Sequence, residues 1–189
     1  EPAVLALDAG TPGLVVEPCE FQLGLRAAAG ARVAVSGAAD GALPSEEAGA
    51  VTAASLALLR AGCAAIARGI ARRAHEVALE YARERMQGGV AIVEHDAVRR
   101  MLAAMSARLA STPEPRGAEL DPTAALTAKV AATEAALATA TDAVQVFGGT
   151  GYMHETGVEK LMRDAKYLQL LPEPNWMADD AIVDAALRA

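Results

Sequence analysis

The chain has 189 residues, a net charge of −7, 53% hydrophobic residues and only 3% aromatic ones. This length suits one ordinary domain, or one domain and part of another. The acidic balance and the lack of a basic run argue against nucleic-acid binding. The sequence has neither an apolar run of about eighteen residues nor a leader pattern, so we expect a cytoplasmic protein with no membrane partner.

Four short runs of β-type residues lie before residue 36, at positions 4–7, 13–16, 21–25 and 32–35. Turn-forming residues separate them. So few strands make an incomplete sheet, which needs a covering partner. A stretch rich in Gly, Ala and Pro follows at 37–44. We therefore predict a partial β domain with its linker over residues 1–44.

From Ser45 the pattern becomes helical, and residues 45–189 are predicted to form one mainly α domain. Ser45 is a plausible N-cap, with two glutamates in the favourable first turn. The helical stretch that it begins continues to Gly88–Gly89. Because that is too long for one ordinary globular helix, we expect a break between Arg60 and Gly69.

Three further long helices and one short helix are predicted. The second begins near Glu94 and carries one apolar stripe, and prolines from position 113 end it. The third begins at Asp121–Pro122, an N-cap followed by proline at the first helical position. The fourth covers about 157–171, and a short helix ends near Leu187. The predicted fold is thus a four-helix bundle with an extra terminal helix, preceded by a few β-strands.

Three glycines, Gly148, Gly149 and Gly151, lie in the stretch QVFGGTGYMHE between two predicted helices. The spacing does not match GxGxxG, and a helix rather than a strand precedes it. One interpretation is a helix C-cap followed by a tight turn. The other is a floor for a ligand's phosphates, with the Gln145 amide one turn earlier. Local chemistry leaves both open.

The segment DAVQVFGGTGYMHETGVEKLMRDAKYLQ closely resembles the C-terminal segment of acyl-CoA dehydrogenases. YARERMQGGVAIVEHDAVRRMLAAM is similar to a second pattern of that family, although Asp96 replaces its glutamine and Gly88 its phenylalanine. The opening residues resemble the end of the family's central β domain. The resemblance covers almost the whole chain and corresponds to the last half of a typical family member.

The resemblance implies that FAD lies between two subunits, with the helical domain of one reaching the other's cofactor. Arg85 falls on an arginine that suits a pyrophosphate by charge and fork geometry. Gln145, Gly148 and Gly149 fall on the family's phosphate-contacting positions, and Gln87 is a further polar candidate. Because Gly88 stands at the family's phenylalanine position, the aromatic side chain that the family places beside the cofactor is missing here.

The family's reaction is α,β-dehydrogenation of an acyl-CoA thioester, in which a glutamate removes the α-proton and flavin N5 takes the β-hydride. Ungapped alignment places Pro172 at the usual position of this base, so Glu173 is the candidate after a one-residue shift. The other family position for the base is Leu59. Its neighbour Arg60 either contacts the substrate or forms a packed ion pair.

The resemblance thus implies an FAD-dependent acyl-CoA dehydrogenase-like subunit. We expect a homo- or hetero-oligomer, with a chain that supplies the missing domains, and an electron-transfer acceptor. The alternative is a non-catalytic assembly subunit or fragment that completes the dimer and FAD site of a partner chain. The missing carboxylates at the two usual base positions favour the alternative, whereas the intact glycine motif favours flavin contact.

Overall fold

The computed structural model describes residues 7–8, 10–28, 30–37, 45–112 and 121–188. Two antiparallel strands, β1 (Leu14–Pro18) and β2 (Ala31–Val35), pair with Leu14 opposite Val35. Two of the four predicted strands are thus confirmed to within two residues. The run at 4–7 lies outside the described residues except for Leu7, which is not in a strand. The domain boundary at residue 44 stays a prediction.

The described residues then form five α-helices: α1 (Ser45–Glu84), α2 (Asp96–Ser111), α3 (Pro122–Phe147), α4 (Val158–Leu168) and α5 (Asp179–Arg188). The first four pack together around two apolar clusters, which confirms the predicted four-helix bundle. Asp121 caps α3 as predicted, because its Oδ2 accepts a hydrogen bond of 2.6 Å from the Ala124 amide. The predicted stripe on α2 faces the core through Leu102 and Met105.

α1 continues without interruption through residues 60–69, so the predicted break is wrong. Its 40 residues span about 60 Å. Small side chains form its buried face, which meets a second small-residue face on α3, so the two helix backbones can approach closely. This packing extends past Gly62 and Gly69, and it outweighs the roughly 1 kcal/mol by which each glycine weakens a helix. The buried alanines of α1 between 57 and 82 are Ala57, Ala64, Ala67, Ala71, Ala74, Ala78 and Ala82.

A tight hairpin replaces the predicted end of the first helix. After α1 ends at Glu84, β3 (Met86–Gln87) pairs with β4 (Val90–Ala91). The two turn residues, Gly88 and Gly89, have φ of 66° and 86°. A two-residue turn with φ positive at both positions suits the twist of a hairpin and favours glycine. A short 3₁₀ turn, Ile92–Glu94, then leads into α2.

Residues 21–25 form a loop rather than the predicted strand, because side chains form hydrogen bonds with the backbone groups of this segment. The side-chain Nε2 of Gln22 donates to the backbone carbonyl oxygens of Gly24 and Leu25, at 2.8 and 2.9 Å. The loop is bound to α4, where Asp164 Oδ1 accepts from the Leu25 amide at 2.7 Å. The β segment is thereby attached to the helical bundle through α4.

By length and composition alone, α1 between Glu47 and Glu84 is apolar enough to cross a membrane. This is weak evidence, because the core helix of a soluble protein passes the same test. In the structure, the buried alanines of α1 pack within the bundle.

Candidate functional site

A groove of about 710 Å³ lies where the β3–β4 hairpin meets the end of α3. Its walls come from the last turns of α1, the hairpin, the start of α2 and the glycine-rich segment after α3. The groove brings together all five residues predicted to bind the cofactor: Arg85, Gln87, Gln145, Gly148 and Gly149. Two segments about sixty residues apart in sequence thus meet at one surface, because α1 and α3 pack along each other.

Arg85 lies at the junction between α1 and the hairpin. Its amide donates to the Tyr81 carbonyl at 2.9 Å, and its own carbonyl accepts from the Ile92 amide at 2.8 Å. The backbone is therefore held on both sides. Within the described part of the chain, the guanidinium has no hydrogen-bond or ion-pair partner. It is an exposed cation with all five donors available to an anion.

The three glycines of the segment after α3 have different structural roles. Gly148 ends α3 with φ of 61°, which glycine adopts without strain. Gly151 is buried, and a Cβ atom there would lie 2.5 Å from the Val144 carbonyl oxygen. At Gly149, in contrast, an added Cβ would meet nothing within 4 Å in the part of the chain that the structure describes, and the φ of Gly149 is not in the left-handed range. The helix-cap interpretation therefore accounts for Gly148 and Gly151 but gives no reason for a glycine at 149.

An aromatic pair lines the groove, although Gly88 lacks the family's phenylalanine. The rings of Tyr81 and Phe147 stack with centroids 4.1 Å apart and an interplanar angle of 13°. His95 also lines the groove, with Nε2 3.1 Å from the Gln87 carbonyl oxygen. Sequence reasoning missed these three residues. Tyr81 could have been found, because it lies one helical turn before Arg85 and so shares its face.

The other two predicted residues, Arg60 and Glu173, lie together but do not line this groove. Arg60 Nε donates to Glu173 Oε1 at 2.9 Å, and the side chains are only 16% and 19% exposed. The structure thus joins two residues that were predicted separately, and it shows the ion pair that was one of the two interpretations of Arg60.

Two ionisable groups beside this pair have shifted pKa values. Burial lowers the pKa of Lys129 from 10.5, whereas the Glu173 charge acts in the opposite direction. Burial raises the pKa of the Cys63 thiol above 9.0, and the Lys129 charge opposes that shift. Cys63 is therefore a protonated, buried thiol near neutral pH. Among the described residues, no group of three or more His, Cys, Asp or Glu side chains could hold a metal ion.

The sequence profile of the acyl-CoA dehydrogenase C-terminal domain matches residues 48–172. The chain therefore belongs to the acyl-CoA dehydrogenase family. It is 34% identical over 186 residues to cyclohex-1-ene-1-carbonyl-CoA dehydrogenase of Geobacter metallireducens, an alignment that covers 92% of the chain and 49% of that enzyme. The resemblance noted from the sequence is thus confirmed.

Solved structures show the same architecture. Butyryl-CoA dehydrogenase of Megasphaera elsdenii is 28% identical, with a TM-score of 0.81 over 96% of this chain and 50% of its own. An FAD-dependent dehydrogenase, also 28% identical, superimposes with a TM-score of 0.83 over 93% of this chain and 51% of its own. The chain thus spans about half the length of the relatives it matches.

Proposed function

We propose that this chain forms part of a flavin-dependent acyl-CoA dehydrogenase and that the groove between the hairpin and the end of α3 holds part of FAD. The proposal rests on one observation: the groove brings together Arg85, Gln145 and Gly149 from distant segments. Among the described residues, the side chains of Arg85 and Gln145 have no hydrogen-bond partner, and packing does not require a glycine at position 149.

These residues fit the charged part of a dinucleotide. The Arg85 guanidinium can form charge-assisted, bidentate hydrogen bonds to phosphate oxygens. Gly148 and Gly149 allow close approach to backbone N–H groups, and the Gln145 side chain adds an amide donor at the same wall. Gln87 lies on the hairpin side. The aromatic pair of Tyr81 and Phe147 offers an apolar face beside the phosphate-binding groups.

The groove is an open surface feature of the described residues. We therefore propose that FAD lies at a subunit interface, with another chain or another domain enclosing the isoalloxazine. When bound, flavin N5 would accept the β-hydride of an acyl-CoA thioester, and the reduced cofactor would pass its electrons to an electron-transfer acceptor. The contribution of this chain is to bind and orient the pyrophosphate. We place the protein in the cytoplasm.

Removal of the α-proton would be the task of Glu173. Its carboxylate lies in a largely buried environment, but Oε1 is bound to Arg60. The hydrogen bond from Arg60 therefore occupies one of the two carboxylate oxygens that could accept a proton. For Glu173 to act as the base, Arg60 would have to release Oε1, or the free Oε2 would have to take the proton. Arg60 would then contact the acyl thioester through its remaining donors.

The same ion pair favours a second candidate function. A non-catalytic assembly subunit would keep the flavin groove and the helical bundle and would use Glu173 only for packing. Pro172 and Leu59, at the two family positions for the base, agree with this alternative. A partner chain would then supply the catalytic glutamate.

Arg85→Ala tests the cofactor assignment in the complex that the chain forms with its native neighbours. We expect flavin content, measured by absorbance after gel filtration, to fall, because the only free cation of the groove's described walls is removed. Arg83→Ala is a matched control: this exposed arginine lies in the last turn of α1, two residues before Arg85, but does not line the groove. Unchanged flavin content in Arg85→Ala would contradict the assignment.

Glu173→Gln separates the two candidate functions. If Glu173 is the base, turnover falls by about a hundredfold or more with flavin retained. If turnover is unchanged and a partner chain carries its own glutamate, the assembly role holds.

A further inference from the structure

Lys129 is a fully buried lysine in the middle of the helical bundle. Its relative exposure is 0%, whereas Lys160 and Lys166 are exposed. An ammonium group is costly to remove from water unless hydrogen bonds replace its hydration. Burial of Lys129 therefore requires hydrogen-bond acceptors for all three N–H donors of its ammonium group.

All three acceptors of Lys129 belong to the segment that follows α4. Nζ donates to the Glu173 carbonyl oxygen at 2.6 Å, to Asn175 Oδ1 at 2.7 Å and to the Gln169 carbonyl oxygen at 3.3 Å. An ammonium group has three donors, so its hydrogen-bonding capacity is filled. We refer to the segment 169–175, which contains the three acceptors, as the 169–175 turn.

Asn175 is oriented so that its oxygen faces the ammonium. Its Nδ2 donates to Thr133 Oγ1 at 3.0 Å and to Glu134 Oε1 at 2.8 Å. Its backbone amide closes the turn by donating to the Gln169 carbonyl at 2.9 Å. The side-chain oxygen therefore stays available to Lys129, and one face of α3 binds both ends of the turn.

We propose that Lys129 is the positioning residue of the 169–175 turn, and that it fixes the Glu173 backbone so that the Glu173 carboxylate stays within reach of Arg60. The charges around the ammonium are those of Arg60, Glu134 and Glu173, and the Cys63 thiol is the remaining titratable neighbour. A buried cation, rather than an apolar side chain, suits this role because it binds three oxygens of one turn at once. The inference goes beyond the proposed function, since it requires neither flavin nor substrate.

Amide hydrogen exchange of this chain tests the proposal. In Lys129→Met, which keeps side-chain length but removes the cation, we expect exchange across residues 169–177 to rise about ten- to a hundredfold, the factor expected when hydrogen bonds to a charged group are lost. Exchange in the middle of α1 stays unchanged. Lys160→Met is the matched control and leaves the 169–175 turn protected. Equal exchange of the turn in Lys129→Met and wild type would overturn the proposal, and so would a uniform rise along the chain.

Two further readouts distinguish positioning from general packing. Trp176, the only tryptophan, directly follows the turn, so its fluorescence anisotropy reports local mobility. We expect the anisotropy to fall in Lys129→Met and to recover in part in Lys129→Arg, which keeps a cation. The opposite order of the two variants would contradict the proposal. If Lys129→Met does not fold, Asn175→Ala removes one acceptor and is expected to raise the same exchange; no rise would overturn the proposal.

Discussion

Gly149 and Gly151 are two residues apart, yet adding one methyl group to each should have opposite effects on stability. At Gly151 the new Cβ would lie 2.5 Å from the Val144 carbonyl oxygen and 2.9 Å from Phe147 Cβ. One of these contacts involves backbone that ends α3, so the helix terminus would have to shift. Overpacking of this kind costs about 1–3 kcal/mol. For a chain of this size we expect Gly151→Ala to lower Tm by roughly 2–12 °C.

At Gly149 the added methyl group would meet no atom of the described residues within 4 Å, and φ is not in the left-handed range. Replacing such a glycine by alanine stabilises a protein by about 0.4–1 kcal/mol, because the unfolded chain loses conformational freedom. Gly149→Ala should therefore leave Tm unchanged or raise it by about 1–4 °C. The methyl group would, however, stand between the backbone N–H groups and a bound phosphate. Loss of one charge-assisted hydrogen bond corresponds to roughly 1.5–3 kcal/mol, or about a ten- to a hundredfold loss of flavin affinity.

The two assays are thermal unfolding of the chain, followed by circular dichroism, and flavin absorbance of the complex with its native neighbours. We expect the Gly149→Ala protein to be stable but to bind flavin poorly. If Gly149→Ala loses as much stability as Gly151→Ala, the glycine serves packing alone. If it is stable and retains all of its flavin, the groove does not hold the cofactor's phosphates.

Three further outcomes follow. Light scattering should show an oligomer at micromolar concentration, because Leu58, Trp176 and Leu187 are 65%, 72% and 81% exposed, and a clean monomer would contradict this. The chain purified alone should bind FAD weakly or not at all, since we place the isoalloxazine against residues from another chain or domain; a yellow, stoichiometrically loaded protein would refute this.

The third outcome concerns stability at alkaline pH. The pKa of Lys129 lies below 10.5 in the folded chain and near 10.5 in the unfolded chain. Between these two pKa values the unfolded state binds more protons than the folded state. The free energy of unfolding therefore rises with pH, by at most about 1.4 kcal/mol per pH unit. The raised pKa of Cys63 acts in the opposite direction, so urea unfolding is compared in Cys63→Ala with and without Lys129→Met. The rise should disappear with Lys129→Met, and its persistence would refute the assignment to Lys129.

Local sequence patterns were sufficient for much of the helical part. Three predicted features are present in the structure: the start of α3 at Asp121–Pro122, the apolar stripe on α2 and the approximate limits of α4. Each depends only on residues within a few helical turns of one another. The break expected in α1 was wrong because α3 offers a long partner face that stabilises α1 beyond the length its local sequence indicates. The strand expected at 21–25 was wrong because Asp164 and Gln22 take up the backbone groups that a neighbouring strand would have bound.

The candidate site divides in the same way. The motifs around Arg85 and Gln145 named residues that line one groove, because family resemblance carries long-range information that periodicity lacks. Neither pattern nor resemblance indicated the pairing of Arg60 with Glu173 or the burial of Lys129. These contacts join residues 113 and 44 positions apart.

The sequence by itself determined the helical bundle, the helix starts and the family, because each depends on local chemistry or on a contiguous motif. Only the tertiary structure decided that Gly149 is free of packing demands, that Arg85 has no partner among the described residues and that Lys129 is buried. Those properties depend on what the rest of the chain places around a side chain. For Gly149, Arg85 and Lys129, the packing of α1 and α4 against α3 sets that environment.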